Sequence, residues 1–351
     1  MGHNIEVSGL DLNRKLGKGL LKQYQGRKKI LFKCKNKLSS RSQKPILLAM
    51  LNSPTGVLSI NNIKYAGNIE LWSKKNAKGC DVINSMSLET YLSSLLAKEM
   101  NSSWEEEALK AQAVSARTYA LIKMRRHKKN KENNFDIENS EKDQVMGSLL
   151  DSTSRTQKAT KKTRGEVLIL SKTKKMTPVF YHARCGGQTL LPQSAWSHSI
   201  DGYESVKCEY CRGKGARPWQ YQISKKMIRR FLSSKKLSDK IGFKGMQANL
   251  NQKLRLVPNN DLTASSIRIY IGKTLVLFSK SILRKFFGRK NIKSLYYNIK
   301  KKGSLFIVDG NGLGHGVGLC QVGAQGLAKK GLSYRGILKH YFPNHELYKV
   351  Y

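Results

Sequence analysis

Acidic residues are scarce in this chain: 23 Asp and Glu stand against 65 Lys and Arg, a formal net charge of +42 over 351 residues. A field that strong implies an anionic partner, whether nucleic acid, a membrane surface or an acidic cell-wall polymer, unless Lys is simply the default solvated residue. Long apolar runs are missing as well. Nothing approaches the roughly 20 residues that span a bilayer. The longest early run, Ile46–Leu51, falls short of the about 7–15 residues of a signal-peptide core. Residues 1–20 also lack the order of charge, apolar run and cleavage site that marks an export signal. No segment repeats at a fixed period, which excludes a solenoid. The six cysteines (Cys34, Cys80, Cys185, Cys208, Cys211 and Cys320) are unevenly placed. They do not form the disulfide framework of a small secreted domain.

What is present divides the chain unequally. Residues 14–44 hold twelve Lys and Arg and no acid, and residues 1–43 as a whole are expected to form a flexible basic leader. Residues 44–351 are expected to form the folded domain. Short strand-like runs open it (Ile46–Leu51, Val57–Ile60, Ile69–Trp72), separated by Asn, Gly and Pro signals. Two helices follow, then a polar stretch at 127–164 and further strands at Gly165–Leu170 and Thr177–His182. Residues 224–303 alternate basic amphipathic runs with strand-like pieces and carry no recognisable chemistry.

The segment Leu88–Arg126 is the most informative part. Leu88, Leu92, Leu95 and Leu96 recur at helical spacing, and Glu99 lies three, four and seven residues beyond the last three of them. It therefore extends an apolar face, where a carboxyl has a raised pKa, as a general acid at neutral pH requires. The plain alternative is a helix-end Glu that swings out to water. Ser102 or Ser103 can cap the second helix, with Glu105 and Glu106 three residues on. That explains Glu105–Glu107 as helix-start acids. Leu109, Ala113, Ala116 and Ala120 make a narrow packing stripe, and Lys110 and Arg117, seven apart, share another face that could border a cleft.

Two further patterns carry chemistry. His182-x2-Cys185 and Cys208-x2-Cys211 are two ligand pairs 22 residues apart, the usual way a chain supplies a tetrahedral zinc site. A disulfide among these cysteines beside an unrelated histidine remains open at this level. Four protein ligands would close the site and make the metal structural. The second pattern is GNGLGHGVGLCQVGAQGLAKKG at Gly310–Gly331. Its alternating glycines permit a tight backbone, and it lacks the GK[ST] ending of a phosphate-binding loop. It displays His315, then Gln321 and Gln325 at helical spacing. Cys320 and His315 are close enough to suggest a thiol nucleophile, but no orienting Asn or Asp can be assigned.

Three blocks resemble the stage II sporulation protein D family (SpoIID/LytB, amidase enhancer): YLSSLLAKEMNSSWEEEALKAQAVSARTYAL at 91–121, TRGEVLILSKTKKMTPVFYHARCGGQTLLPQSAW at 163–196 with ESVKCEYC at 204–211, and GNGLGHGVGLCQVGAQGLAKKGLSYRGILKHYFPN at 310–344. The resemblance implies an α+β fold in which helices and short strands surround a substrate cleft. It implies a lytic transglycosylase acting on peptidoglycan glycan strands stripped of their peptides, located in the cell envelope. Glu99 would be the catalytic acid/base, in a Glu-Met-Pro motif whose Pro is here Asn101, a residue that also serves in turns. Lys110, Arg117, His315 and Gln321 would bind sugar or orient the acid. His182, Cys185, Cys208 and Cys211 would hold structural zinc. One carboxyl suffices for such chemistry, whereas ordinary glycosidases need two, because the substrate's own C6 hydroxyl attacks the anomeric carbon. The family's other name suggests an alternative, a non-enzymatic wall-binding protein that stimulates a partner amidase. A nucleic-acid-binding role ranks last, since the basic runs contain few aromatics and no recognisable binding motif.

Overall fold

Alternation of apolar and charged residues builds the first sheet. The structure, a computed structural model, describes residues 4–15, 21–33, 45–73, 79–130, 134–140, 143–196, 198–234, 254–257 and 261–351. The strands are β1 (Asn4–Lys15), β2 (Leu21–Lys33), β3 (Leu47–Asn52), β4 (Val57–Ile60), β5 (Ile63–Ala66), β6 (Asn68–Ser73) and β7 (Cys80–Ser85). They pair antiparallel in the order β5-β4-β1-β3-β6-β7, with β2 also on β1. Ile5, Val7, Ile30, Leu51, Leu58, Ile69 and Leu71 are buried along one core.

This corrects the expectation of a flexible leader at 1–43. Residues 4–15 and 21–33 are strands of the sheet, with Val7 opposite Ile30. The period-2 signal is there, Ile5 and Val7 on one face and Ile30 facing them, but the many lysines between them hide it. Residues 34–43 lie outside the described residues. Cys80, at the start of β7, is disulfide-bonded.

Three helices complete the first of two compact units, residues 1–166 with 350–351. Helix α1 (Leu88–Glu99) is capped by Ser87, whose hydroxyl accepts the Thr90 N–H, and it buries Leu92, Leu95 and Leu96 completely. Helix α2 (Glu106–Asn130) follows, then α3 (Ser154–Lys162), capped by Thr153. Small residues let α2 be enclosed more fully than one stripe would allow: Ala108, Leu109, Ala111, Ala113, Val114, Ala116 and Ala120 are all fully buried.

The second unit is residues 167–349. Here β8 (Glu166–Leu170) pairs with β17 (His345–Lys349), and β9 (Tyr181–His182) runs parallel to β16 (Leu319–Cys320). A three-stranded sheet joins β10 (Pro218–Ser224), β15 (Leu305–Asn311) and β14 (Tyr297–Lys302). Another joins β11 (Leu254–Val257), β12 (Ser266–Ile271) and β13 (Thr274–Ser279). The region 224–303, read from sequence as peripheral, contributes Phe231, Ile267, Phe278, Leu283 and Tyr297 to a core of its own with Trp219 and Phe306. Mixed helices and antiparallel sheets make the fold α+β, as expected. Among the described residues no helix is long and apolar enough to cross a membrane.

Among the described residues of the first unit, one charged side chain is fully buried. Arg117 on α2 has no exposed surface. Its Nε and Nη2 donate to the two oxygens of Glu89 on α1, both at 2.8 Å. The other donors reach Thr160 O, Thr163 Oγ1 and Glu166 O. Glu89 is partly exposed and keeps the Tyr351 hydroxyl. Arg117→Met is therefore expected to lower the unfolding free energy, by less than the about 3–5 kcal/mol of a fully buried pair, read from urea denaturation.

Candidate active site and metal centre

The last turn of α1 presents Glu99, and the chain turns sharply just after it. Met100 is extended, its N–H still bonded to Leu96 O at 2.9 Å. Asn101 then accepts the Ser103 N–H at 2.9 Å and the Ser103 hydroxyl at 2.8 Å on its side-chain oxygen, a side-chain-closed turn of the kind Asn favours. Asn101 thus makes by hydrogen bonding the turn that the family's Pro would make by ring geometry. Ser103 is committed to that turn, and α2 begins at Glu106 rather than being capped by Ser102 or Ser103. Arg155 on α3 clamps the same turn, its Nε on Ser102 O at 3.0 Å and its Nη2 on Trp104 O at 2.6 Å.

Glu99 is half-buried beyond the fully buried Leu92, Leu95 and Leu96. Its Oε1 accepts one hydrogen bond, from Val145 N–H at 3.0 Å. Burial pushes the Glu99 carboxyl above the ordinary carboxylate range, and the Val145 bond offsets part of that. Close by, Tyr91 donates its hydroxyl to Gln144 Oε1 at 2.9 Å. Tyr91 and Gln144 also line a cavity of about 660 Å³ with Tyr65, Asp81, Asn84 and Phe135. Among its described lining are four carboxylates and no Lys, Arg or His, the reverse of the chain's overall charge.

The other candidates divide between the units. Lys110 places its ammonium 2.6 Å from Glu107 and 3.2 Å from Glu106. Burial would lower its pKa, but the two acids raise it, so it is a cation throughout the working pH range. Arg117, expected to border a cleft, is instead the buried tie described above. All five of its N–H groups are spent inside the unit, which leaves none for a sugar.

In the second unit the glycines of 310–318 bring backbone segments together. A Cβ on Gly318 would lie 2.2 Å from Phe180 O, and one on Gly312 would lie 2.5 Å from Arg184 O. His315, inside this run, accepts the Val317 N–H on Nδ1 at 3.0 Å and stands among Trp196, His182 and Phe180, with ring centroids at 5.1, 5.6 and 6.1 Å. Burial, then neighbouring His182 and two arginines, hold its pKa well below that of a free histidine. It is a neutral ring. Gln321 opens the helix Gln321–Lys329 and is 5% exposed.

The metal-ligand expectation needs one correction. The four sulfurs of Cys185, Cys208, Cys211 and Cys320 lie within 4.8 Å of one another, all buried and all free thiols. A tetrahedral thiolate site spans S···S distances of about 3.8 Å, from metal–sulfur bonds near 2.3 Å. The surroundings suit anionic sulfur. Cys185 N–H reaches Cys320 Sγ and Gly187 N–H reaches Cys185 Sγ, both at 3.4 Å, and Tyr341 hydroxyl lies 3.5 Å from Cys208 Sγ. Such outer donors are what a metal-bound thiolate needs. This quartet could hold a metal ion.

His182 is not one of the four. Its Nδ1 is bonded to Val317 O at 3.0 Å, and burial lowers its pKa to about 4. The fourth ligand comes from β16, which pairs with β9 so that Cys320 sits beside His182. Local spacing could not find it, since Cys320 lies 109 residues beyond Cys211 in sequence. Three buried cysteines lacking a fourth soft ligand were the sole cue.

An α+β protein with a half-buried carboxyl of raised pKa at a helix end and a buried four-cysteine cluster that could hold a metal ion is the class these units define. The family described as stage II sporulation protein, SpoIID, matches residues 76–170. An uncharacterised protein of Brachyspira hyodysenteriae is 29% identical over 81% of this chain and 72% of its own length. The amidase enhancer of Bacillus subtilis is 27% identical over 83% of this chain, which spans 45% of that protein. Stage II sporulation protein D of Bacillus subtilis is 26% identical over 74% of each chain. These matches support the stage II sporulation protein D family, to which residues 76–170 are similar.

Two measurements test this geometry. Titration with cobalt(II) should give the sulfur-to-metal absorption of a tetrahedral thiolate site; His182→Ala should keep it and Cys320→Ser should weaken or lose it. For Glu99 the sign follows from a folded-state pKa above the unfolded one. Its contribution is fully present below the unfolded pKa and is lost as pH rises through the folded pKa. Glu99→Gln should therefore gain stability relative to the parent at neutral pH and gain none at pH 4, as read from paired thermal melts.

Proposed function

We propose that this protein is a peptidoglycan lytic transglycosylase in which Glu99 is the acid and then the base. The observation that carries this reading is a half-buried carboxyl whose pKa burial raises, with one oxygen bonded to Val145 N–H and the other left for proton transfer. Protonated Glu99 gives its proton to the glycosidic oxygen as the bond to the anomeric carbon of N-acetylmuramic acid breaks. The C6 hydroxyl of that sugar then closes onto the anomeric carbon, and Glu99 carboxylate takes the hydroxyl proton. The product is a 1,6-anhydro sugar. Because the nucleophile is part of the substrate, no second carboxylate and no bound water are required.

The cavity beside Tyr91 supports a sugar ligand, since its carboxylates, amides and tyrosines are the groups that exchange hydrogen bonds with hydroxyls. Lys110 and His315 are assigned to sugar contact, His315 as a neutral ring. Arg117 and Gln321 are given structural roles by their burial. The four cysteines are assigned to structural zinc, which would staple the loops around β9 and β16 and take no part in the reaction. A cell-envelope location fits the disulfide at Cys80, since such bonds persist in oxidising compartments. The second unit carries 34 of the 65 Lys and Arg but only 7 of the 23 acids. That excess would draw it to an anionic envelope.

The relative named amidase enhancer favours a second reading, in which the protein binds wall material and stimulates an amidase without cleaving glycan. One experiment separates the two. Purified protein is incubated with glycan strands freed of peptides, and the products are examined by mass spectrometry for 1,6-anhydromuramyl ends. Glu99→Gln should lose about 10²–10⁴-fold in rate, and the parent's rate should fall as pH rises through the raised Glu99 pKa. Activity unchanged in Glu99→Gln would overturn the enzymatic assignment. Amidase stimulation that survives the substitution, without anhydro products, would establish the enhancer.

A further inference from the structure

Four consecutive residues, Asp143–Met146, are pinned one by one across the helices of the first unit. Asp143 accepts the Tyr119 hydroxyl at 2.8 Å and Lys123 Nζ at 2.5 Å, both from α2. Gln144 is 1% exposed; its Oε1 takes the Tyr91 hydroxyl of α1 at 2.9 Å and its Nε2 points to Ala116 O of α2 at 3.4 Å. Val145 N–H goes to Glu99 Oε1, and Met146 N–H goes to Asn139 Oδ1 at 2.9 Å. The segment forms no regular helix or strand; an isolated bridge joins Gln144 to Asn139. Side chains of α1 and α2 add to that hold, and its main-chain bond to a side chain of α1 is the bond to Glu99.

We propose that Tyr91 and Gln144 are positioning residues for Glu99: their hydrogen bond locks the 143–146 strap so that Val145 N–H fixes Oε1 and leaves Oε2 as the oxygen that carries the transferable proton. The atoms account for this directly. A carboxylic acid that accepts an N–H on one oxygen keeps its own proton on the other. Tyr91 lies two helical turns before Glu99 on the same helix, so a clamp there fixes the strap relative to the carboxyl with little freedom between them. Gln144 is 1% exposed and Tyr91 borders the cavity both residues line, so loss of either removes a bond that orients the strap. The strap lies against the carboxyl through Val145. Opening it would remove the Val145 bond, which favours the charged form, and let water reach the carboxyl; since burial is the larger of the two effects, the pKa would fall.

The proposal deepens the catalytic reading of Glu99, yet its test does not depend on catalysis. Protein labelled with ¹³C at the glutamate carboxyls is titrated by NMR, with Glu99→Gln used to assign the Glu99 signal. Tyr91→Phe and Gln144→Met should each move the Glu99 midpoint down toward an ordinary carboxylate, and the double variant should move it no further than either single, because both break one bond. On glycan strands each single should lose roughly tenfold in kcat with KM unchanged, from lost positioning. The alkaline limb of the pH profile should shift down with the midpoint. A Glu99 midpoint equal to the parent's in both folded single variants would overturn the proposal. Absence of anhydro product from the parent would instead count against the transglycosylase, and the NMR midpoints would still decide the strap.

Discussion

Arg117 is the constraint on which the first unit depends. A guanidinium with no exposed surface must place all five N–H groups, and it does so on Glu89 of α1, Thr160 and Thr163 of α3, and the carbonyl of Glu166 that opens β8. Its bidentate grip on Glu89 sets both distance and angle between α1 and α2. Glu89 lies in the first turn of α1 and Glu99 in the last, about 15 Å apart at the rise of a helix. The buried ion pair at one end of a short rigid rod thus fixes where the carboxyl at the other end can be.

At that other end the chain meets two opposed demands. Three fully buried leucines pull the last turn inward, while a carboxylate requires solvation or donors. The outcome is a compromise in which Glu99 has one donor, Val145 N–H, and a pKa raised by burial. Asn101 closes the turn that follows, and Arg155 holds its carbonyls from α3. Local turn chemistry and the carboxyl's surroundings are therefore linked.

The second unit solves a different problem, gathering ligands from remote parts of the chain. Glycines at 312 and 318 admit neighbouring backbone within distances that a Cβ would block, and this lets β16 lie beside β9. The same approach delivers Cys320 to the sulfurs of Cys185, Cys208 and Cys211. In the apo state burial pushes the Cys320 thiol up, whereas a bound cation would take it as thiolate. Close glycine packing and a metal-competent quartet are thus one structural event.

Much of this was legible in the residues themselves. Helical spacing placed Glu99 on an apolar face, and that is where it lies; the alternating glycines announced close backbone approach. The α+β class and the family came from the resemblance of three sequence blocks, whose motifs are local in the chain. Three readings failed for one reason. Residues 4–15 and 21–33 join the sheet, Arg117 turns inward, and Cys320 rather than His182 lies with the other three cysteine sulfurs, each through a contact between residues far apart in sequence. Spacing ranks neighbours along the chain and is blind to partners brought by pairing. The sequence by itself determined which residue types exist to do chemistry and which helix carries the acid. Tertiary structure alone decided which charge is buried, which sulfur completes the quartet and which amide touches Glu99, since burial and long-range pairing are properties of the folded chain.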